Sequence, residues 1–208
     1  MSDREQVLHK VRAALGRRRG QAPELRPILS LETADLDVEE RVRLLIKNFP
    51  GQCIRAESQD EACEYVSGVL AGRRGVASRA PFLCTTGISS LPGVASNIGD
   101  ESTLRRVCAE ADVGLTSADY ALADPGALVL LSTSREDRIV SLLPPVHIAA
   151  IPADCILAGI DDLFHALPDP AAVSSSMVII GGPSRTGDIE MSLVHGVHGP
   201  REVHVVVV

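Results

Sequence analysis

The apolar positions of this chain form short continuous runs, separated by stretches in which apolar residues recur every three or four positions. The continuous runs predict strands that are buried on both faces, and the longer spacing predicts amphipathic helices. Their alternation favours a layered α/β fold with a Rossmann-like, mostly parallel sheet. The predicted strands are residues 52–56, 75–78, 113–116, 126–132, 146–151, 177–181 and 203–208, and the predicted helices are residues 37–49, 58–71, 101–111 and 161–167.

A separate helical arm is predicted before these elements. Ser2 and Glu5 have the spacing of a capping box, and four apolar residues then fall on one face of a helix over residues 2–19. Residues 20–27 form a linker, so we expect an arm and linker over residues 1–27 and an α/β domain over residues 28–208. The arm either docks on its own domain or packs on a partner. Its apolar positions are Val7, Leu8, Val11 and Leu15.

Composition narrows the possible partners. The chain has 208 residues, a formal net charge of -7 and only 2% aromatic residues. An acidic chain with few aromatic rings repels phosphate backbones and offers no stacking platform, which argues against nucleic-acid binding. No apolar run is long enough to span a bilayer, so no membrane span is expected. The absence of a signal peptide predicts a cytoplasmic location.

The cysteines do not form a recognisable metal site. Five are present, and no two of them have CxxC spacing. Neither a zinc site nor a cysteine-held iron–sulfur cluster is therefore predicted in this chain, and no metal-ligating residue is proposed. A flavin or nicotinamide cofactor is not indicated either, because the Gly181-Gly182 pair lacks the GxGxxG spacing.

Residues 181–200, GGPSRTGDIEMSLVHGVHGP, carry the clearest indication of a binding site. They follow the apolar run 177–180, which predicts a buried strand, and Asp188 is predicted to open a helix over residues 189–194. A glycine turn with hydroxyls and a guanidinium before a helix N-terminus is a typical anion site. The predicted residues for binding a small anionic ligand are Gly182, Ser184, Arg185, Thr186, Asp188 and Glu190.

The same loop has a purely structural interpretation. Ser184 or Thr186 would cap the predicted helix, and Arg185 would pair with Asp188 or Glu190. These two carboxylates would also compete with a bound anion for the positive end of the helix.

The histidines give weaker indications. His198 and His195 lie near the end of the predicted helix, where they would form a general acid–base element beside the loop. His147 lies within an apolar strand and is predicted to be a core histidine.

Several segments resemble one family. Residues 118–130, ADYALADPGALVL, and 142–148, LLPPVHI, are similar to two segments of the lactate-utilisation (LUD) domain family. Residues 182–190, GPSRTGDIE, and 196–200, GVHGP, look like its C-terminal signature. The order and spacing also match, and the small LutC/YkgG type is the most similar subgroup.

The resemblance implies a fold of the NagB/RpiA/CoA-transferase-like type and a role in L-lactate utilisation. It implies two larger partner proteins, at least one of which carries iron–sulfur clusters, that together with this chain support oxidation of lactate to pyruvate. The chain would then be an accessory or ligand-binding subunit. The alternative is an isomerase- or transferase-like enzyme, or a sensor, that binds a small anionic metabolite. The resemblance does not decide whether the chain is itself an enzyme.

The chain departs from the family pattern at one segment. The family usually has Glu-Thr-Gly-Thr where this chain has Asp124-Pro125-Gly126-Ala127. Related transferases use a glutamate as nucleophile, so Asp124 is a candidate nucleophile or base. The alternative, which the Pro-Gly pair favours, is a simple turn before the strand that follows.

Overall fold

The computed structural model describes residues 3–16, 35–133, 138–186 and 194–208. The chain divides into two units, Met1–Leu31 and Glu32–Val208. In the first unit, helix α1 spans Asp3–Leu15, within the range predicted for the helical arm. The predicted boundary after residue 27 stays a prediction.

The helices of the second unit begin largely where the sequence predicts. The Asp37 carboxylate accepts a hydrogen bond from the Glu40 amide at 2.8 Å, and the Glu40 carboxylate accepts one from the Asp37 amide at 3.0 Å. This reciprocal capping box fixes the start of α2. The helices are α2 Val38–Asn48, α3 Gln59–Leu70, α4 Pro81–Thr85, α5 Glu101–Glu110, α6 Arg138–Leu142, α7 Ile160–Ala166 and α8 Pro170–Val173.

A six-stranded parallel sheet forms the centre of this unit, in the order β1–β12–β7–β4–β2–β3. The layered, mostly parallel α/β architecture predicted from the sequence is thereby confirmed. Parallel strands need crossover connections, and the helices supply them. The strands of this sheet are β1 Gln52–Arg55, β2 Gly75–Ala77, β3 Val94–Ala95, β4 Val113–Ser117, β7 Val146–Ile151 and β12 Glu202–Val207.

Both faces of the parallel sheet are covered. On one face, Val113, Leu115 and Ile148 pack in a cluster with α3 residues such as Val66. On the other face, Val205 packs in a cluster with residues of α2 and of a second sheet, which include Leu45 and Leu128. Burial on both faces explains why the central strands are nearly continuous apolar runs.

The second sheet has four strands in the order β8–β5–β6–β9. The sequence pattern predicted β6 and β9 but missed β5 and β8, which are short. Strand β9 was predicted to be buried; instead it pairs with β6 at the edge of the sheet that the described residues form, and Ile179 is 46% exposed. The strands are β5 Tyr120–Leu122, β6 Ala127–Leu131, β8 Ile156–Leu157 and β9 Met177–Ile180.

Candidate functional site

Most of the predicted site residues that the structure describes lie around one end of the parallel sheet. The loop before β12 meets the start of β7, where the Arg201 amide donates a hydrogen bond to the Pro145 carbonyl at 3.0 Å. The segment between α2 and β1 and the β5–β6 turn border the same place, as described below. We call this surface, formed by residues 48–51, 123–126, 182–185 and 196–201, the amino-end rim.

Gly182 fits the rim because it has no side chain. Its φ is +106°, and an added Cβ would lie 3.0 Å from the Cβ of Pro50. A left-handed backbone and a tight contact both favour glycine at this position. Gly182 therefore brings the chain against the loop before β1, and its predicted role in binding stays a prediction.

Ser184 links the two arms of the loop. Its amide donates to the Pro200 carbonyl at 2.8 Å, and its carbonyl accepts from the Gly196 amide at 3.0 Å. Its hydroxyl oxygen accepts from the His198 amide at 3.2 Å. That contact uses a lone pair of the hydroxyl oxygen and not its proton.

A β-hairpin follows Ser184. Strand β10, Arg185–Thr186, pairs antiparallel with β11, Val194–His195. The prediction that the helix ends at Val194 is therefore wrong, because Val194 pairs with Thr186. Arg185 and Thr186 lie in a strand, and the predicted capping role of Ser184 or Thr186 stays a prediction. Asp188, Glu190 and the rest of the predicted helix lie outside the described residues.

The hairpin brings two of the predicted polar residues to the surface. Arg185 and His198 are both exposed, and Ser184, which contacts the His198 backbone, is half-buried. A guanidinium and a hydroxyl are groups that can bind a carboxylate or an acidic side chain. His195 pairs with Arg185 across the hairpin.

Asp124 lies in the turn that joins β5 to β6. Its amide donates to the Ala158 carbonyl at 3.0 Å, and its side chain is exposed. The preceding residue is held by Asn48, whose side-chain amide donates to the Ala123 carbonyl at 3.0 Å. Gly126 has a φ of +84° and packs directly on the end of α2. This arrangement is the turn that the Pro-Gly pair favours, and a catalytic role for Asp124 stays a prediction.

His147 is fully buried in β7. Its Nε2 atom lies 2.8 Å from the Thr116 hydroxyl, and its Nδ1 atom has no hydrogen-bond partner among the described residues. Burial, with a smaller contribution from His204, lowers the pKa of His147 to about 3. The imidazole is therefore neutral near pH 7, as expected of a core histidine.

Sequence reasoning missed a polar chain that begins on β12. His204 Nε2 lies 2.9 Å from a Glu202 carboxylate oxygen, and its Nδ1 lies 2.7 Å from the Tyr65 hydroxyl. A carboxylate only accepts, so the Nε2 atom of His204 donates to Glu202. Burial is the largest cause that raises the pKa of Tyr65, so the phenol keeps its proton. Tyr65 lies far from His204 in sequence, so no local spacing signals that contact.

The structure also contains a cavity that the sequence did not indicate. It has a volume of about 450 Å³ and lies beside the residues that follow β2 and β3. Arg79, Arg105 and Arg138 line it. They come from three separate elements, so no local motif unites them. We call it the carboxyl-end cavity.

Metal and membrane features are not found within the described ranges. No group of three or more His, Cys, Asp or Glu side chains is placed to hold a metal ion there. Among the helices of the described residues, none is long and apolar enough to cross a bilayer.

Comparisons with known proteins give consistent matches. The model of the LUD domain family matches residues 40–208. Lactate utilization protein C of Halalkalibacterium halodurans is 45% identical over 103 residues, which are 47% of this chain and 45% of that protein. The match thus spans less than half of that relative. Lactate utilization protein C of Exiguobacterium sp. is 30% identical over 188 residues, which are 87% of this chain and 71% of that protein.

A solved structure shares the fold. A DUF162 family protein from Deinococcus radiodurans has a TM-score of 0.57 and 19% sequence identity. The likeness covers 82% of this chain and 95% of that chain. At this sequence identity, the likeness supports a shared architecture and nothing further.

Proposed function

The chain belongs to the LUD domain family, and from this we propose that it is a LutC-type protein of L-lactate utilisation. It would act in the cytoplasm as an accessory subunit of an assembly that oxidises lactate to pyruvate. At least one of two larger partner proteins would carry the iron–sulfur clusters, and this chain would bring no redox cofactor of its own.

One observation carries the proposal. The residues of the C-terminal family signature that are described lie on the amino-end rim, where Arg185 and His198 are exposed. Ser184 holds the two arms together through hydrogen bonds to backbone groups, so the exposed side chains project from a braced loop. Exposed guanidinium and imidazole groups in the signature suit a surface that contacts a partner.

Copurification from lactate-grown cells tests this role. The full chain with an affinity tag is expected to bring down two larger proteins, and the eluate should be brown and contain iron and acid-labile sulfide. Growth without lactate provides the control for induction. A colourless eluate that contains the tagged chain alone would contradict the proposal.

A second candidate is a small-anion enzyme or sensor, which is favoured by the adjacent Ser184 and Arg185 and by the hydrogen bond from the His198 amide to the Ser184 hydroxyl. The Ser184 hydroxyl and the Arg185 guanidinium would bind a carboxylate or phosphate. Asp124 would be available as a base from the turn at the same rim, and His198 as a general acid or base.

Calorimetry separates the second candidate from the first. Lactate, pyruvate, CoA and a sugar phosphate would each be titrated into the wild type, Arg185→Ala and Arg43→Ala, which removes an exposed arginine of α2. The sensor model predicts about tenfold weaker binding for Arg185→Ala alone. Equal affinity in all three proteins would exclude the rim as an anion-binding site.

A further inference from the structure

The carboxyl-end cavity lies where open α/β sheets commonly bind ligands. Such ligands bind outside the carboxyl ends of the strands, close to the point where the strand order reverses. After β2, the next two strands of this sheet along the chain are β3 and β4, and they lie on opposite sides of β2. The strand order therefore reverses beside β2. Arg79 follows β2, and Ile98 follows β3. Both residues line the cavity.

Basic groups approach the cavity from different directions. Arg79 comes from the loop after β2, Arg105 from α5 and Arg138 from α6. The Nη1 atom of Arg79 lies 3.8 Å from the place that a Cβ on Gly99 would occupy, so Arg79 reaches the backbone that leads into α5. Several guanidinium groups around one space offer donors to a carboxylate, sulfonate or phosphate.

Among the described residues, two carboxylates line the same cavity beside the three guanidinium groups. Asp100 is the N-cap of α5 and accepts from the Thr103 amide and the Ser102 hydroxyl, both at 2.7 Å. These contacts, with the Thr103 hydrogen bond the largest cause, lower the pKa of Asp100 to about 2. The ionised Asp100 carboxylate therefore accepts hydrogen bonds from the first turn of its own helix. Glu101 is the other carboxylate that the described residues place in the lining.

The remaining wall is apolar. Leu142 and Leu143, at the end of α6, are 37% and 46% exposed, although large apolar side chains usually avoid water. Ile98, Leu104 and Ile139 complete this wall. A volume of about 450 Å³ falls within the range of small-molecule sites and is much larger than lactate needs.

We propose that the carboxyl-end cavity binds a small organic anion that has an apolar body. The acidic group lies against Arg79, Arg105 and Arg138, and the apolar body lies against Leu142 and Leu143. This site is separate from the amino-end rim and does not rest on the proposed role in lactate utilisation. A failure here leaves the copurification test unaffected.

A fluorescence titration of the full chain with anilinonaphthalene sulfonate tests the proposal, since this probe combines a sulfonate with an apolar ring system. We expect a saturable signal that benzoate or phenyl phosphate displaces. Benzyl alcohol, which has a similar apolar body and no charge, should not displace it at the same concentration. The stronger of the two anionic competitors identifies the preferred acidic group.

Matched variants assign the signal to the cavity. Arg105→Ala removes a lining guanidinium, whereas Arg106→Ala removes its exposed neighbour on α5, which does not line the cavity. Loss of a charged hydrogen bond predicts roughly tenfold weaker binding for Arg105→Ala and no change for Arg106→Ala. Gly99→Leu fills the cavity from an exposed position and should abolish probe binding while the thermal unfolding midpoint is kept.

Three results would overturn the proposal. The first is no saturable probe binding to the wild type. The second is equal displacement by benzyl alcohol and benzoate, which would mean that the charge is not recognised. The third is unchanged probe affinity in both Arg105→Ala and a folded Gly99→Leu protein, which would place the probe elsewhere.

Discussion

The two ends of the parallel sheet are built in different ways. At the amino-end rim, backbone groups meet closely: Gly182 packs on Pro50, Gly126 packs on the end of α2, and Ser184 joins two loop arms. At the carboxyl-end cavity, long side chains surround an open volume. The rim is recognisable from a local sequence signature, and the cavity has none.

This difference separates two roles that the sequence assigned to one loop. A closely packed rim with exposed polar side chains suits contact with another protein, and an open cavity with basic and apolar walls suits a small ligand. A family signature can therefore mark a structural or assembly element, while a ligand site lies at the other end of the sheet.

The largest expected effect compares a glycine from each end. Gly126→Ala places a Cβ about 2.5 Å from the carbonyl carbon of Asn48 at a φ of +84°. The left-handed backbone and the overpacking together predict a loss of about 3 kcal/mol in the free energy of unfolding. Gly99→Ala meets only Arg79 Nη1 at 3.8 Å and should change it by less than about 0.5 kcal/mol. Urea denaturation measures both; equal losses would show that the two ends are built alike.

As the pH falls, the β7 core beside the rim should lose stability before the groups around the cavity are protonated. The folded-state pKa of His147, about 3, lies below its ordinary value of 6.5, so unfolding takes up a proton between these values. Stability is therefore complete above pH 6.5 and falls by about 1.4 kcal/mol per pH unit below it. The lowered pKa of Asp100 acts only as the pH falls from about 3.8 toward 2.

Urea midpoints measured from pH 7 to pH 4 check this order. His147→Gln is expected to flatten the slope because it removes the titrating ring, while His165→Gln, an exposed position of α7, should keep it. A slope that survives in His147→Gln would assign the acid sensitivity to another group.

Charge reversal should separate the two ends by function. Arg185→Glu is expected to reduce recovery of the copurifying proteins roughly tenfold or more, since like charges at an interface are costly. Arg105→Glu should leave that recovery unchanged and reduce probe binding instead. Loss of partners in both variants, with both proteins folded, would contradict the division between the ends.

The smallest effect concerns one hydroxyl at each end. Ser184→Ala removes the acceptor of the His198 amide, and Ser102→Ala removes a donor to Asp100. Each should cost about 0.5–1.5 kcal/mol of unfolding free energy, because ordinary hydrogen bonds contribute about that much. Only Ser184→Ala should speed amide exchange at His198, which exchange measured by mass spectrometry can show.

The sequence predicted elements that depend on local pattern. Strand β7 has the predicted bounds, and the Asp37–Glu40 cap of α2 is present. Strands β5 and β8 were missed because so short a segment is defined by its pairing rather than by its periodicity. The prediction of a helix to Val194 was wrong for the same reason, since its pairing with Thr186 is a contact between separate segments.

The candidate site residues also differ in whether the local sequence could predict them. Ser184, Arg185 and His198 lie in one signature and could be singled out from their types and spacing. Arg79, Arg105 and Arg138 become neighbours only when β2, α5 and α6 take their places, so no window of sequence contains them. The same holds for Tyr65, which meets His204 across the fold.

Hydrogen exchange of the full chain, measured with and without saturating phenyl phosphate, tests most directly whether the two ends have different roles. We predict slower exchange in peptides that cover residues 98–105 and 138–143, which line the cavity, and no change over residues 196–201 of the rim. Slower exchange over residues 182–185 and 196–201, with none at the cavity, would contradict the account and return the ligand to the signature loop.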